Sequence, residues 1–186
     1  MAEQNVSYSI KQSDGSYKEL RMKAYDLNGH GTDNGPHSVL LSGRAIGTTI
    51  GANSIAEGLS TTASGNISHA EGYYTTASGN RSHAEGLSTT ASGSHTSHAE
   101  GNGTTASGDT SHAEGLSTTA SGNYASHAEG LSTQASGDTS HAEGCYTTAS
   151  SDSSHAEGYY TTASGYASHA EGYYTTASGY ASHAEG

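Results

Sequence analysis

A histidine followed two residues later by a glutamate recurs nine times in this chain, from His69 and Glu71 to His183 and Glu185. Imidazole nitrogens and carboxylate oxygens can exchange protons, form hydrogen bonds and bind transition metals. On an extended strand, side chains at i and i+2 lie on one face, so each pair presents both groups in one direction. Stacked copies would form two ladders, in which the imidazoles relieve carboxylate repulsion by hydrogen bonding or by protonation.

Catalysis is not expected from these pairs. A His/Glu catalytic pair needs a pocket and a nucleophile, and nine identical copies argue against a unique active site. The sequence has no P-loop, dinucleotide-binding, EF-hand or calcium nonapeptide motif, and no serine lies in a nucleophile elbow. We therefore predict that the protein is not an enzyme.

The pairs belong to a repeat that fills residues 54–186. Each unit reads close to S-H-A-E-G-x-x-T-T-A-S-G-x-x, and of the nine spacings seven are 14 residues and two are 15. The units begin at Ser54, Ser68, Ser82, Ser97, Ser111, Ser126, Ser140, Ser154, Ser168 and Ser182. A fixed period of this length is typical of solenoid proteins.

Alternation along the strands predicts which side chains fill each coil. In the unit that starts at Ser68, the predicted interior consists of Ser68, Ala70, Gly72, Thr75, Ala77 and Gly79. Only a very thin coil can be filled by residues this small. The prediction is an all-β solenoid of 14-residue coils, in which two parallel sheets rise by about 4.8 Å per coil.

The thin interior also predicts an oligomer. Burying an alanine methyl group contributes about 1 kcal/mol, whereas fixing the backbone of one residue costs about 1–2 kcal/mol. A single roll of such coils should therefore need further burial against neighbouring chains.

Composition and charge exclude several classes of partner. The chain is 31% hydrophobic, contains no Phe or Trp, and has a net charge of −12. Such values can indicate disorder, but Ala and Gly keep a fixed phase throughout the repeat. The repeat has ten Glu and three Asp against Arg81 alone. This charge disfavours nucleic acid and anionic membranes as partners.

The residues before the repeat predict a small hairpin and a cap. Over residues 5–25, apolar residues from Val6 to Ile10 alternate with polar ones, and Asp14 and Gly15 supply a turn. The predicted organisation is a segment of hairpin and connector over residues 1–36, an irregular capping coil over 37–53 and the β-roll over 54–186. The first residues lack the pattern of a secretory signal peptide, so none is expected. Cys145 is the single cysteine, so no intrachain disulfide can form.

The repeat resembles the head repeat of the YadA-type trimeric autotransporter adhesins. Their pattern S-x-A-x-G-x-x-[ST]-x-A-x-G-x-x fits residues 54–186, and in the second unit Ser68, Ala70 and Gly72 occupy its fixed positions. The resemblance implies a left-handed parallel β-roll and a homotrimer. His and Glu stand where that family usually has aliphatic residues, and no autotransporter membrane anchor is recognisable.

In that family the His/Glu face of the first strand points towards the trimer axis, so the resemblance implies layers of three His and three Glu. Such layers are a candidate transition-metal site, and the alternative is a hydrogen-bonded polar axis with water. No other cofactor is expected. The candidate metal ligands are His69, Glu71, His83, Glu85, His98, Glu100, His112, Glu114, His127, Glu129, His141, Glu143, His155, Glu157, His169, Glu171, His183 and Glu185.

The turns carry the remaining candidate contacts. Candidates for packing between subunits occupy the first turn position: Leu59, Tyr73, Leu87, Leu116 and Leu131. Candidates for receptor contact are the tyrosines that crowd the last units: Tyr159, Tyr160, Tyr166, Tyr173, Tyr174 and Tyr180. Exposed aromatic rings can stack on sugars and proteins, and the alternative is that these rings stack on one another.

A second resemblance concerns the first residues. VSYSIKQSDGSYKELRMKA is similar to the N-terminal segments of tail-fibre proteins from phages and phage-tail-like particles of Gram-positive bacteria. Residues 1–36 would then attach the chain to a baseplate or another particle protein, and the trimer would bind a glycan or protein of the host surface. Such a protein assembles in the host cytoplasm and belongs to the virion. The alternatives are the head of an extracellular cell-surface adhesin and an ice-binding or purely structural solenoid.

Overall fold

The computed structural model describes residues 5–11, 17–23, 39–40 and 50–186. The predicted turn at Asp14 and Gly15, the connector and most of the capping coil lie outside these ranges. Within them, β1 (Asn5–Lys11) and β2 (Tyr17–Lys23) pair antiparallel, with Asn5 opposite Lys23 and Lys11 opposite Tyr17. The alternating residues of the predicted hairpin thus lie on paired strands.

From residue 50 onward the described chain is a solenoid with one longer and one shorter strand per coil. The longer strands, preceded by β3 (Val39–Leu40), are β4 (Ile55–Leu59), β6 (His69–Tyr73), β8 (His83–Leu87), β10 (His98–Asn102), β12 (His112–Leu116), β14 (His127–Leu131), β16 (His141–Cys145), β18 (His155–Tyr159), β20 (His169–Tyr173) and β22 (His183–Glu185). The shorter strands are β5 (Thr62–Ala63), β7 (Thr76–Ala77), β9 (Thr90–Ala91), β11 (Thr105–Ala106), β13 (Thr119–Ala120), β15 (Gln134–Ala135), β17 (Thr148–Ala149), β19 (Thr162–Ala163) and β21 (Thr176–Ala177).

The strands form two parallel sheets in which every residue lies opposite its equivalent in the next coil. The longer strands and β3 make an 11-stranded sheet, and the shorter strands make a 9-stranded sheet. His98 faces His112, and Ala99 faces Ala113. The predicted all-β parallel solenoid of about 14-residue coils is therefore confirmed. Its handedness and its trimeric state stay predictions.

The interior consists of small side chains, as the alternation predicted. Ala113 and Ala120 are fully buried, and so is Thr118. Ser111 is also buried, and its hydroxyl donates a hydrogen bond to the Gly108 carbonyl at 2.8 Å. From Ser54 onward no interior side chain is larger than threonine, so the two sheets can approach closely.

The glycine after each glutamate differs from the prediction. Gly72 was expected inside the coil, but it is exposed and has φ of 111°. This left-handed φ ends the alternation after Glu71, and L-residues with a side chain rarely adopt it. A Cβ at Gly72 would lie 2.1 Å from the Gly86 carbonyl oxygen. Gly79, in contrast, is buried as predicted.

The turns contain residues with positive φ and the extra residues of the longer units. Ser60, Ser88 and Ser117 occupy one turn position with φ between 56° and 59°, and Gly103 occupies it with φ of 68°. The extra residues of the two 15-residue units fall in the opposite turn, at 94–96 and 123–125, so the strands stay in register. None of the described residues forms an apolar helix long enough to cross a membrane.

Candidate functional site

The histidines stack into one column along the 11-stranded sheet. Each is the first residue of its strand, so in-register pairing places every ring over the ring of the next coil. The ring centroids are 4.7–4.9 Å apart. This imidazole column consists of His69, His83, His98, His112, His127, His141, His155, His169 and His183.

The glutamates form a parallel carboxylate column beside the imidazoles. His98 Nε2 lies 3.9 Å from Glu85 Oε1 and 3.9 Å from Glu100 Oε2. Glu85 also lies near the histidine of its own coil, since its Oε2 is 4.0 Å from His83 Nε2. Each carboxylate of this kind therefore faces two imidazoles, one through each oxygen. The separations exceed ordinary hydrogen-bond lengths, so the nitrogens and oxygens do not satisfy one another.

Several imidazole nitrogens are occluded without a hydrogen-bond partner among the described residues. The side chain of His98 is 34% exposed, but its Nε2 atom is buried. The nitrogens in this state are Nε2 of His83, His98, His112, His127, His141, His155 and His169. Because an unsatisfied buried polar atom costs free energy, this row favours occupation by a proton donor or a cation.

Burial keeps much of the imidazole column neutral. Removal from water, together with the neighbouring rings, holds the pKa below its ordinary value at His83, His98, His127, His141 and His155. A neutral imidazole offers a lone pair, and this is the form that binds metals.

The carboxylate column shares protons between neighbours. Hydrogen bonds with the adjacent glutamates raise the pKa to about 7 at Glu85, Glu114 and Glu143. The same hydrogen bonds lower the pKa at the alternate positions, which are Glu71, Glu100, Glu129 and Glu157. A protonated carboxyl has one O–H to donate to an ionised neighbour, so adjacent carboxyls of the column can share a proton.

An open groove of about 1360 Å³ follows the carboxylate column from Glu57 to Gly186. Each coil lines it with one glutamate and the glycine that follows. The glycines keep the groove free of other side chains, and its length matches that of the solenoid. It therefore suits a repeated or elongated occupant better than one small substrate.

The structure brings the predicted metal ligands together within one chain. Glu85, His98 and Glu100 form one of several groups in which one ligand atom from each residue lies within 4.8 Å of the others. Each such group joins a glutamate of one coil to the histidine and glutamate of the next. The prediction placed three chains around each site, and the within-chain grouping was missed although it follows from in-register stacking.

The predicted subunit-packing residues each follow, in the chain, one of the glycines that line the groove. Leu59, Leu87 and Leu116 are 56%, 39% and 44% exposed, Tyr73 is exposed and Leu131 is half-buried. These residues form an apolar row beside the carboxylates, and their contacts with other subunits stay a prediction.

The predicted receptor-contact tyrosines are exposed and also stacked. The ring centroids of Tyr160 and Tyr174 are 4.9 Å apart, and the exposed fraction of Tyr180 is 79%. Tyr159 stacks on Tyr173 and Tyr166 stacks on Tyr180, each at 5.3 Å. The sequence analysis missed Tyr146, whose ring lies 4.6 Å from that of Tyr160. Its position in the same turn was the signal that could have found it.

These coils are similar in sequence to a known family of repeats. The model of the YadA head domain repeat matches residues 70–96, 99–125 and 156–186. Over these three segments the coils are similar to YadA head domain repeats. Each matched segment of these YadA repeats begins at an inward-facing alanine, namely Ala70, Ala99 and Ala156. The two coils between the second and third matches have the same strands as their neighbours and nearly the same burial. No curated protein shows significant similarity to the chain.

Proposed function

We propose that this protein is a homotrimeric adhesin-like fibre, in which the solenoid is a shaft and its exposed tyrosines contact a host surface. The role is one of binding and support, and it requires no catalysis. The observation that carries the proposal is the YadA head repeat itself, folded as a solenoid with an uncovered groove along its length.

Trimerisation is supported by the apolar row and by the thin core. A coil whose interior is alanine, serine and threonine buries little apolar area, while Leu59, Leu87 and Leu116 remain exposed in the single chain. Packing three chains along this edge would bury these leucines at about 25 cal/mol per Å². The raised pKa of Glu85 and its equivalents reduces the charge repulsion that such packing would otherwise incur.

We place this fibre in the tail of a phage or a phage-tail-like particle. The similarity of residues 6–24 to tail-fibre N-terminal segments supports attachment at that end. Nine coils at about 4.8 Å each give a spacer of roughly 45 Å. The tyrosine columns lie in the last coils, which are distant along the chain from the N-terminal segment.

The oligomer is tested by multi-angle light scattering of the full chain, combined with chemical cross-linking. The expected mass is three times the 18.8 kDa of one chain. Leu87→Asp combined with Leu116→Asp should give monomers, because carboxylates would replace the apolar row. Ser92→Asp is the matched control, in which an exposed serine just after β9 is replaced, and it should remain trimeric. A wild-type chain that is folded and monomeric at micromolar concentration contradicts the trimer.

The location is tested by immunogold electron microscopy of particles from a producing culture. Label at the baseplate or fibres of tails supports the phage assignment. Label confined to the cell envelope instead supports the alternative of a cell-surface adhesin head, which the YadA repeats also favour.

Receptor contact is tested by binding of the fluorescently labelled protein to host cells. Combining Tyr160→Ala, Tyr174→Ala and Tyr180→Ala should reduce binding at least tenfold. Tyr124→Ala is the control, because this exposed tyrosine lies in an earlier coil outside the stacked cluster. If the triple variant binds host cells as well as Tyr124→Ala does, the stacked tyrosines do not contact the receptor.

A further inference from the structure

We propose that the imidazole and carboxylate columns form a row of binding sites for divalent transition metals within each chain. Each site consists of the glutamate of one coil and the histidine and glutamate of the next. The donor set is one nitrogen and two carboxylate oxygens, which suits Zn²⁺, Ni²⁺ or Cu²⁺. This inference does not require the trimer, the particle or a receptor.

The geometry needs only small adjustments to accept an ion. His98 Nε2 lies 3.9 Å from one oxygen each of Glu85 and Glu100. Zinc binds histidine nitrogen and carboxylate oxygen at about 2.0–2.2 Å, so two tetrahedral ligands lie roughly 3.4 Å apart. Small side-chain rotations would close the difference. The glutamate side chains are half-exposed and have room to make this movement.

The chemical state of the column also favours a cation. His98 Nε2 is occluded and forms no hydrogen bond within the described part of the chain. The groove leaves the carboxylate side open, which gives an ion a route to the site.

Charge sets the expected stoichiometry. Every coil supplies one carboxylate, and its two oxygens face two successive imidazoles, as those of Glu85 do. A divalent ion in every coil would leave an excess positive charge and place ions about 4.8 Å apart. An ion in every second coil balances two carboxylates. The expected occupancy is therefore about one ion per two coils, or about four per chain.

The test uses the full chain without an affinity tag, stripped with a chelator and titrated with zinc chloride by isothermal calorimetry. Elemental analysis after dialysis counts the retained zinc. The wild-type chain should retain about four zinc ions. Combining His98→Gln, His112→Gln and His127→Gln should remove about one-third of them, because three consecutive sites lose their nitrogen ligand without a change in carboxylate charge.

The matched control replaces a histidine–carboxylate pair outside the columns. His95 Nδ1 lies 3.3 Å from Asp109 Oδ2 on a turn. Combining His95→Gln with Asp109→Asn should leave the zinc count within about half an ion of wild type. A wild-type chain that retains fewer than one zinc overturns the proposal. So does a triple variant that retains the wild-type count.

Two measurements keep the proposal testable if the triple variant does not fold. X-ray absorption of the wild-type zinc protein should show a first shell of one imidazole nitrogen and carboxylate oxygens, and a shell of oxygen alone would overturn it. The monomer-forming substitution of Leu87 and Leu116 should retain zinc. If the monomeric variant loses its zinc, the ions are bound between chains, and the proposal of a within-chain site is wrong.

Discussion

Replacing Gly101 with alanine is expected to destabilise the solenoid by about 3–5 kcal/mol. Gly101 has φ of 108°, and a Cβ there would lie 2.2 Å from the Gly115 carbonyl oxygen of the next coil. The backbone strain accounts for about 1–3 kcal/mol. Relieving the clash requires β10 and β12 to move apart by about 1 Å, which weakens about two ladder hydrogen bonds at about 1 kcal/mol each.

Gly103→Ala is the matched control, two residues away in the same coil. Gly103 also has a positive φ, of 68°, but a Cβ there would meet nothing closer than the Ser117 hydroxyl at 3.6 Å. Ser88 and Ser117 occupy the equivalent positions with φ of 56° and 57°. The cost at Gly103 should therefore stay at about 1 kcal/mol or less.

Urea unfolding followed by far-ultraviolet circular dichroism measures the two free energies of unfolding. Repeat proteins need not unfold in one step, so amide hydrogen exchange should be measured alongside urea unfolding to locate the coils that open first. In Gly101→Ala, amide protection should fall first in β10 and β12, while distant coils keep theirs. If Gly101→Ala and Gly103→Ala destabilise the protein equally, close backbone contact between coils is not the reason for a glycine at position 101.

Four further predictions concern the interior and the titrating columns. Thr118→Val should be neutral or stabilising by up to about 1 kcal/mol in urea unfolding, because its buried hydroxyl has no hydrogen-bond partner among the described residues. Ser111→Ala should instead cost about 1–2 kcal/mol in the same assay, because it removes the hydrogen bond to Gly108. Ala113→Leu should cost at least about 1–3 kcal/mol, since the fully buried methyl leaves no room for a larger side chain, and an unchanged urea midpoint would contradict this. Thermal stability should depend on pH below about pH 7 and level off above it. The imidazoles with lowered pKa lose stability as pH falls below 6.5, whereas the carboxyls with pKa raised from 4.5 to about 7 lose it as pH rises between those two values. A melting temperature that is constant from pH 5 to pH 9 would show that the columns do not titrate in this way.

Most of the fold follows from the spacing of the small residues. Two inward alanines per unit, at Ala70 and Ala77, fix the faces of both strands, and the small Ser68 and Thr75 fit the same interior. Gly72 was placed wrongly because strict alternation assumes φ below zero throughout the strand. A glycine in a repeat is compatible with either a small interior position or a left-handed φ, and the sequence does not distinguish the two.

The candidate site was predictable in its residues but not in its arrangement. The His and Glu spacing placed both columns on one face, as the structure has them. The contact of Glu85 with two imidazoles depends on side-chain rotation and on the stagger between coils, which spacing alone does not specify. The pKa shifts of the glutamates have the same origin, since they depend on the contacts of each carboxyl with its neighbours.

The in-register ladders also determine how the rod would respond to force. Hydrogen bonds such as that from the His112 amide to the Ser126 carbonyl join one coil to the next, so they run along the rod. Tension applied at the two ends would load them one coil at a time, as in peeling, rather than shearing many together. Each 14-residue coil that detaches would release roughly 45–50 Å of extended chain. A fibre built this way would yield in steps and re-form coil by coil when the load is removed.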